Sequence, residues 1–490
     1  MCLPTRTTAA AAGWTGEGAA LKRWLAVGLA VLLGAVALRS IRPAPAERRP
    51  NILLILTDDQ SLDTLPSSPA AMPFLQSQLA DPAGHWLRFP NAVVPTPLCC
   101  PSRATLLTGR YDVHTGVRNN SEGPNLDDAN TLPVWLHDAG YTTGLFGKYL
   151  NGYPAEQPGD PAGLYDVVPP GWDEWFSVAT AAYYDYYAAK NGARTPLFGE
   201  SPGQYSTRVL TRRALRFVGQ PSPSPFFLYL AYTAPHTPAP ADPRDAGKLG
   251  LLWPDGQPAS YGESDLSDKP TYVQQQARHF PRAGARGQAG IDDVHVRMEN
   301  ATLAVDRGIA HLWKALPDDT YVLFASDNGF LWGEHARQGK IVPYDESLRV
   351  PLTLAYKGPS NPLPEGATDD RIVLNVDYLP TLEARAGVTP GHPVEGLDFL
   401  TQDRAEFEMG YDGGASAKVP AWCGVRSLGW MYARYATGEE ELYDEHADPL
   451  ELQNLAGDPT FAAQVEAMRT NAAAVCTGGT YYPPDFPTFP

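Results

Sequence analysis

Three short apolar runs, each stopping abruptly at polar residues, constrain what this chain can fold into. Asn51-Ile-Leu-Leu-Ile-Leu56 ends in Thr57-Asp58-Asp59. Phe226-Phe-Leu-Tyr-Leu-Ala231 is followed by Pro235-His236. Thr320-Tyr-Val-Leu-Phe-Ala325 ends in Ser326-Asp327-Asn328-Gly329. An unbroken apolar run of this length suits a central strand covered on both faces. Polar residues just beyond such a strand sit at its carboxyl end, where open α/β sheets place ligands. Weaker strand patterns fall at 142–146 and 352–356, and helical patterns at 131–139, 205–218, 294–316 and 374–386. This alternation predicts an α/β fold on a large, mostly parallel sheet between helices.

Composition narrows the function classes. The 490 residues carry 38 basic and 55 acidic side chains, a net charge of -17, which argues against a nucleic-acid partner. An anionic small substrate stays open, because a site can be locally basic on an acidic protein. With 43% hydrophobic residues the chain can build a sizeable core, and 48 Pro with 45 Gly predict many loops.

At the amino end, Lys22 and Arg23 precede an apolar run from Trp24 to Leu38, and Ala44-Pro45-Ala46 offers a small-x-small cleavage pattern. The run, about 15 residues, falls short of the ~20 that span a bilayer comfortably. Residues 1–48 are read as a signal peptide and linker, with an uncleaved N-terminal membrane anchor as the rival; either exports the protein, as a secreted or cell-surface species. The globular part is expected to divide into 49–388 and a smaller C-terminal subdomain and tail, 389–490. In the latter, strands are expected at 422–425 and 429–435 and a helix at 457–474. The Pro- and Gly-rich stretch 240–290 reads as an insertion or lid, or as a plain surface loop. Five cysteines are too few for a disulfide scaffold. Cys423 and Cys476 are either a bridge or two unpaired buried thiols.

The most specific motif is Cys99-Cys100-Pro101-Ser102-Arg103, followed by Thr108-Gly109-Arg110. It resembles the formylglycine-dependent sulfatases. Further segments carry the resemblance from about 50 to 460: Arg349-Val-Pro-Leu352, Asp377-Tyr-Leu-Pro-Thr381 and Leu442-Tyr443-Asp444 with Asp448-Pro449. The resemblance implies the alkaline-phosphatase-like fold, a large mixed sheet between helices with a smaller C-terminal α+β subdomain. It also implies that Cys99 is oxidised to formylglycine by a formylglycine-generating enzyme. The hydrated aldehyde would act as nucleophile on a sulfate ester, splitting one hard step into two. Cys100 occupies the variable place and is expected to pack.

Asp58 and Asp59 end one strand, Asp327 and Asn328 another. Three carboxylates and an amide oxygen are hard ligands, suited to Ca²⁺ or Mg²⁺ rather than Zn²⁺, and carboxylates so crowded would repel without a cation. The resemblance implies that Asp58, Asp59, Asp327 and Asn328, with residue 99, bind a divalent cation, Ca²⁺ ahead of Mg²⁺. It also implies roles for the basic residues. Arg103 steadies the hydrate, while Lys148, His236 and Lys340 hold the sulfate; Lys340 or His236 protonates the leaving oxygen.

One departure stands out. Many sulfatases carry a His two residues after this lysine; here that position is Leu150. The Gly147-Lys148-Tyr-Leu-Asn151 variant, with Cys-Cys-Pro-Ser-Arg and Gly116-Val-Arg-Asn-Asn120, resembles the branch of N-acetylglucosamine-6-sulfatases and extracellular endosulfatases. Asn151 or His335 is a candidate to supply the missing group. The expectation is an exported sulfatase acting on sugar sulfates such as N-acetylglucosamine 6-sulfate. The alternatives are an arylsulfatase, a phosphonate monoester or phosphodiester hydrolase, and, if Cys99 is not converted, a surface protein that binds sulfated glycans. The aromatic run Tyr183-Tyr184-Asp-Tyr186-Tyr187 suits either stacking on a substrate or packing.

Overall fold

The computed structural model describes residues 49–476 except 66–70, 82–83, 154–164, 180, 252, 254–256, 281–285, 365–366 and 414–417. The leader expected over 1–48 lies outside the described residues. The described residues from 49 to 476 form one compact unit. Among the described residues, no helix is long and apolar enough to cross a membrane.

A nine-stranded sheet organises the unit. Its order is Trp86–Arg88, Leu352–Lys357, Thr320–Ser326, Asn51–Asp58, Phe226–Pro235, Thr142–Gly147, Glu174–Val178, Ala188–Lys190 and Ala193–Arg194. The five strands from Thr320–Ser326 to Glu174–Val178 are parallel, and antiparallel strands lie at both edges. The expected large, mostly parallel mixed sheet is therefore present.

The Asn51–Asp58 strand lies in the middle, and its side chains alternate between two cores. Ile52, Leu54 and Leu56 face the cluster that holds Ala104 and Leu107 of the Cys99–Thr108 helix and Leu379 and Leu382 of the Tyr378–Ala386 helix. Leu53 and Ile55 face the other, with Val209 and Leu210 of the Ser206–Val218 helix and Met298 and Val305 of the Arg286–Ala315 helix. Burial on both faces is why this strand reads as an unbroken apolar run. The Arg286–Ala315 helix starts before the expected 294, because its Gly-containing first turns read as loop.

A four-stranded antiparallel sheet follows, Glu406–Tyr411, Trp422–Ser427, Trp430–Tyr435 and Glu440–Asp444, each strand paired with the next. The Ala462–Cys476 helix packs on it through Val465, Met468 and Ala472. Cys423 and Cys476 form a disulfide between sheet and helix end. Described parts of the 240–290 stretch are tied to the rest of the fold. Asp242 pairs with Arg208, and Arg307 reaches Asp245 at 2.7 Å. Lys269 donates to Tyr443 Oη at 2.9 Å on the small sheet.

Candidate active site

Four adjacent strands end at one place. Asp58 closes the Asn51–Asp58 strand, and Pro235, before His236, lies beside it in register. Asp327 and Asn328 follow the neighbouring Thr320–Ser326 strand; the Asp327 N–H donates to Thr57 O at 3.1 Å. Lys148 follows Thr142–Gly147, its N–H donating to Ala231 O at 2.9 Å. Parallel packing thus gathers residues separated by more than half of the chain.

Cys99 is the first residue of the buried Cys99–Thr108 helix, whose amino end points at this cluster. The Cys100 N–H donates to Asn120 Oδ1 at 3.0 Å, satisfying a first-turn donor. Gly109 closes the helix in the left-handed conformation, φ 65°. The cluster's contacts are short. Lys148 Nζ donates to Asp58 Oδ2 at 2.6 Å. Arg103 Nε donates to Asp327 Oδ2 at 2.9 Å and its Nη1 to Lys148 O at 2.7 Å, while Nη2 lies 3.5 Å from Asp58 Oδ2. His236 Nε2 lies 3.6 Å from Asp59 Oδ2. Cys99 Sγ lies 3.6 Å from Asp58 Oδ1.

Lys340 Nζ donates to Cys99 Sγ at 2.8 Å, to Asn328 Oδ1 at 3.1 Å and to Asp59 Oδ1. An ammonium thus sits at the focus of hard oxygen donors beside residue 99. Asp58, Asp59, Cys99 and His236 present ligand atoms within 4.8 Å of one another. The carboxylate oxygens of this set, with Asn328 Oδ1 at the same focus, are the donors that fit a hard divalent cation.

The electrostatics follow from burial and pairing. Desolvation alone would raise the Asp58 carboxyl, but Lys148, His236, Arg103 and Lys340 hold it well below the usual carboxylate range. Asp327 moves the other way, raised by burial and by the charge on Asp58. Burial pushes the Cys99 thiol up to about 12 against the pull of both lysines. Desolvation also works against Arg103, Lys148 and Lys340, but their carboxylate neighbours outweigh it and keep all three charged.

The structure brings together Asp58, Asp59, Cys99, Arg103, Lys148, His236, Asp327, Asn328 and Lys340. It places His335 elsewhere: Nδ1 is 2.8 Å from Glu263 Oε2, and the ring stacks on Tyr344 with centroids 4.0 Å apart. Leu150 is buried in the core, and the Asn151 N–H donates to Cys100 Sγ at 3.1 Å. Cys100 is a packing residue, as expected. Sequence reasoning missed the role of Tyr183. It is buried, and its Oη donates to His236 O at 2.7 Å, so it holds the His236 turn. The aromatic run signalled it without saying which ring mattered. Asn375 was missed as well; its Nδ2 donates to Ser102 Oγ at 2.9 Å and ties the cysteine helix to the later chain.

A family model described as Sulfatase matches residues 50–388, and one described as N-sulphoglucosamine sulphohydrolase, C-terminal, matches residues 333–476. A Caenorhabditis elegans protein named as a Sulf-1 extracellular sulfatase homolog is 32% identical over 372 residues, 71% of this chain and 48% of that protein. The human N-acetylglucosamine-6-sulfatase is 31% identical over 362 residues, 70% of this chain and 62% of that protein. The matches thus span from about half to under two thirds of these relatives. A solved structure of a protein with its substrate D-glucosamine-2-N,6-O-disulfate superposes with TM-score 0.71 at 23% identity, covering 89% of this chain and 98% of the other. With the first family model matching well over half of its length, this chain belongs to the sulfatase family.

Proposed function

We propose that this protein is an exported sulfatase hydrolysing sulfate esters of sugars of the N-acetylglucosamine 6-sulfate type. Cys99 is converted to formylglycine, and a divalent cation, Ca²⁺ before Mg²⁺, is held by Asp58, Asp59, Asp327, Asn328 and residue 99. The observation that carries this reading is the convergence of Cys99, three carboxylates, an amide and four basic side chains at the ends of adjacent strands. The names of the relatives support the sugar sulfate and the export.

A formylglycine hydrate at residue 99 would supply a hydroxyl nucleophile that displaces the alcohol from sulfur and a second hydroxyl whose proton loss would expel the sulfate, and a cation held by Asp58, Asp59, Asp327 and Asn328 would supply Lewis acidity. The chain's own residues do the rest. Arg103 braces Asp327 and the Lys148 carbonyl, so the two strand ends keep their spacing. Lys148 and Lys340 now spend their charge on Asp58 and Asp59. With a cation on those carboxylates, both lysines would be free to pair with a bound sulfate as point charges. His236, part-exposed on the rim, is placed to hold the ester and donate a proton to the leaving oxygen.

The test is sulfate release by protein produced with a formylglycine-generating enzyme, with Cys99→Ala as blank and the mass of the Cys99 peptide recorded. Release from N-acetylglucosamine 6-sulfate, absent from the blank, is the expected result. Release from an aryl sulfate alone removes the sugar assignment. Release only from a phosphonate monoester or phosphodiester removes the sulfatase reading. An unconverted Cys99 in the native host points to a binding protein.

A further inference from the structure

A second set of ligand-type side chains lies apart from the strand ends. His335, Glu346 and Glu451 each present a ligand atom, and these atoms lie within 4.8 Å of one another. His335 is fully buried. Its Nδ1 is engaged by Glu263 Oε2 at 2.8 Å. Its Nε2 makes no hydrogen bond; the nearest carboxylate oxygen, Glu346 Oε2, is 3.7 Å away, buried, and also without a hydrogen bond. Two orphaned polar atoms thus face each other across a gap too long for a hydrogen bond.

The gap suits a metal. Zinc bonds of ~2.0–2.2 Å in a tetrahedron put neighbouring ligand atoms about 3.4 Å apart. A carboxylate on Nδ1 fixes the histidine tautomer with its lone pair on Nε2, the arrangement found behind metal-binding histidines. Around Glu451, the carboxylates of Glu263, Asp345, Glu346 and Glu445 are ion-paired with Lys269, Arg349, Arg426 and His335. One nitrogen with carboxylate oxygens selects a zinc-class transition ion over Ca²⁺ or Mg²⁺.

We propose that His335, Glu346 and Glu451 bind one zinc-class divalent ion, with Glu263 orienting His335. His335 and Glu346 flank Lys340 in sequence, while Glu451 follows the last strand of the small sheet. The ion would clip the Lys340-bearing segment to the C-terminal subdomain, and the proposal stands or falls independently of the substrate. The rival is a protonated His335 bridging the two glutamates.

The test loads the full chain with Zn²⁺ at neutral pH, removes free metal by gel filtration, and measures metal per chain and melting temperature. Asp59→Asn weakens the strand-end site, whereas His335→Gln and Glu346→Gln address the proposed one. One equivalent of Zn²⁺ retained by the wild type and by Asp59→Asn, lost from both other variants, is the expected result. Zn²⁺ should also raise the melting temperature of the wild type by several degrees and leave the two variants unmoved. If His335→Gln fails to fold, Glu346→Gln, which alters a part-exposed ligand, decides. No Zn²⁺ on the wild type, or undiminished Zn²⁺ on either variant, overturns the proposal in favour of the protonated bridge.

Discussion

Replacing Gly147 by alanine disturbs the site without removing any group from it. Gly147 ends its strand at φ 126°, a conformation that side chains with a Cβ rarely adopt. A Cβ built there falls 1.7 Å from Ala231 O and 2.5 Å from its carbonyl carbon. Cβ contacts under 3.0 Å essentially do not occur, so the two strands must part by about 1.3 Å, the difference between the two distances. The Ala231 carbonyl is also the acceptor of the Lys148 N–H, and neither strand lies at a sheet edge. Lys148 Nζ, now 2.6 Å from Asp58 Oδ2, is carried with the backbone. Loss of the buried hydrogen bond costs about 1–3 kcal/mol, and the strained φ about 1–3 kcal/mol more. Displacing a positioning group by ~1 Å costs on the order of 100-fold in rate. Gly147→Ala should therefore lose about 100-fold in kcat/KM for the sulfate ester at a temperature where circular dichroism shows it folded. Gly140→Ala is the control: its φ is 89°, but an added Cβ meets nothing within 4 Å. It should lower the melting temperature and leave kcat/KM unchanged. If Gly147→Ala keeps activity within about threefold, or Gly140→Ala loses as much, the argument from the Ala231 contact is wrong.

Three further outcomes follow from other parts of the fold. Chelation should abolish sulfate release while far-ultraviolet circular dichroism stays native, and Ca²⁺ should restore it; release that persists after exhaustive chelation contradicts the role given to Asp58, Asp59 and Asp327. Burial with no compensating partner pushes the Glu383 carboxyl up to about 8. The folded state then holds that proton more tightly than the unfolded state, so stability is lost as pH rises from about 4.5 to 8. Glu383→Gln should match the wild type near pH 4.5 and exceed it at pH 8, by at most about 5 kcal/mol at ~1.4 kcal/mol per tenfold change in proton affinity; parallel urea melts across that range would show otherwise. The Cys423–Cys476 bridge spans a sequence separation of 53, for which chain-entropy arguments give about 4 kcal/mol. Cys423→Ser should lower the melting temperature and speed proteolysis of the last helix, and reductant should do the same to the wild type but not to the variant.

Short-range pattern carried much of the site. Asp58, Asp59, Asp327 and Asn328 were legible because each pair ends an unbroken apolar run, and Cys99 with Arg103 because they share one dense motif. The structural placement of Lys148 and His236 agrees with the strand ends that precede them. What escaped depends on contacts distant in sequence. The Glu174–Val178 strand mixes charge with aromatics because it lies beyond the sheet's centre, next to the antiparallel end strands. The Pro73–Leu79 helix is only seven residues, too short to show a period. His335 resembles an active-site histidine by its neighbourhood in sequence, yet Glu263, 72 residues away, turns its ring elsewhere. Tyr183 meets the His236 turn across 53 residues, which no local pattern encodes.

The position of the Asn51–Asp58 strand has a consequence in time. It is the first strand of the described chain to be synthesised and lies near the middle of the sheet, yet its partners are Phe226–Pro235 and Thr320–Ser326. At ~5–20 residues per second, a ribosome takes on the order of tens of seconds to supply the second of them. Until the first of them emerges Ile52 to Leu56 have no strand to pair with, and until the second does one edge stays open and the two aspartates behind them lack Asp327 and Asn328. No amino-terminal fragment ending before Lys340 contains the whole site, so an interrupted chain exposes this sticky strand and gains nothing of the chemistry.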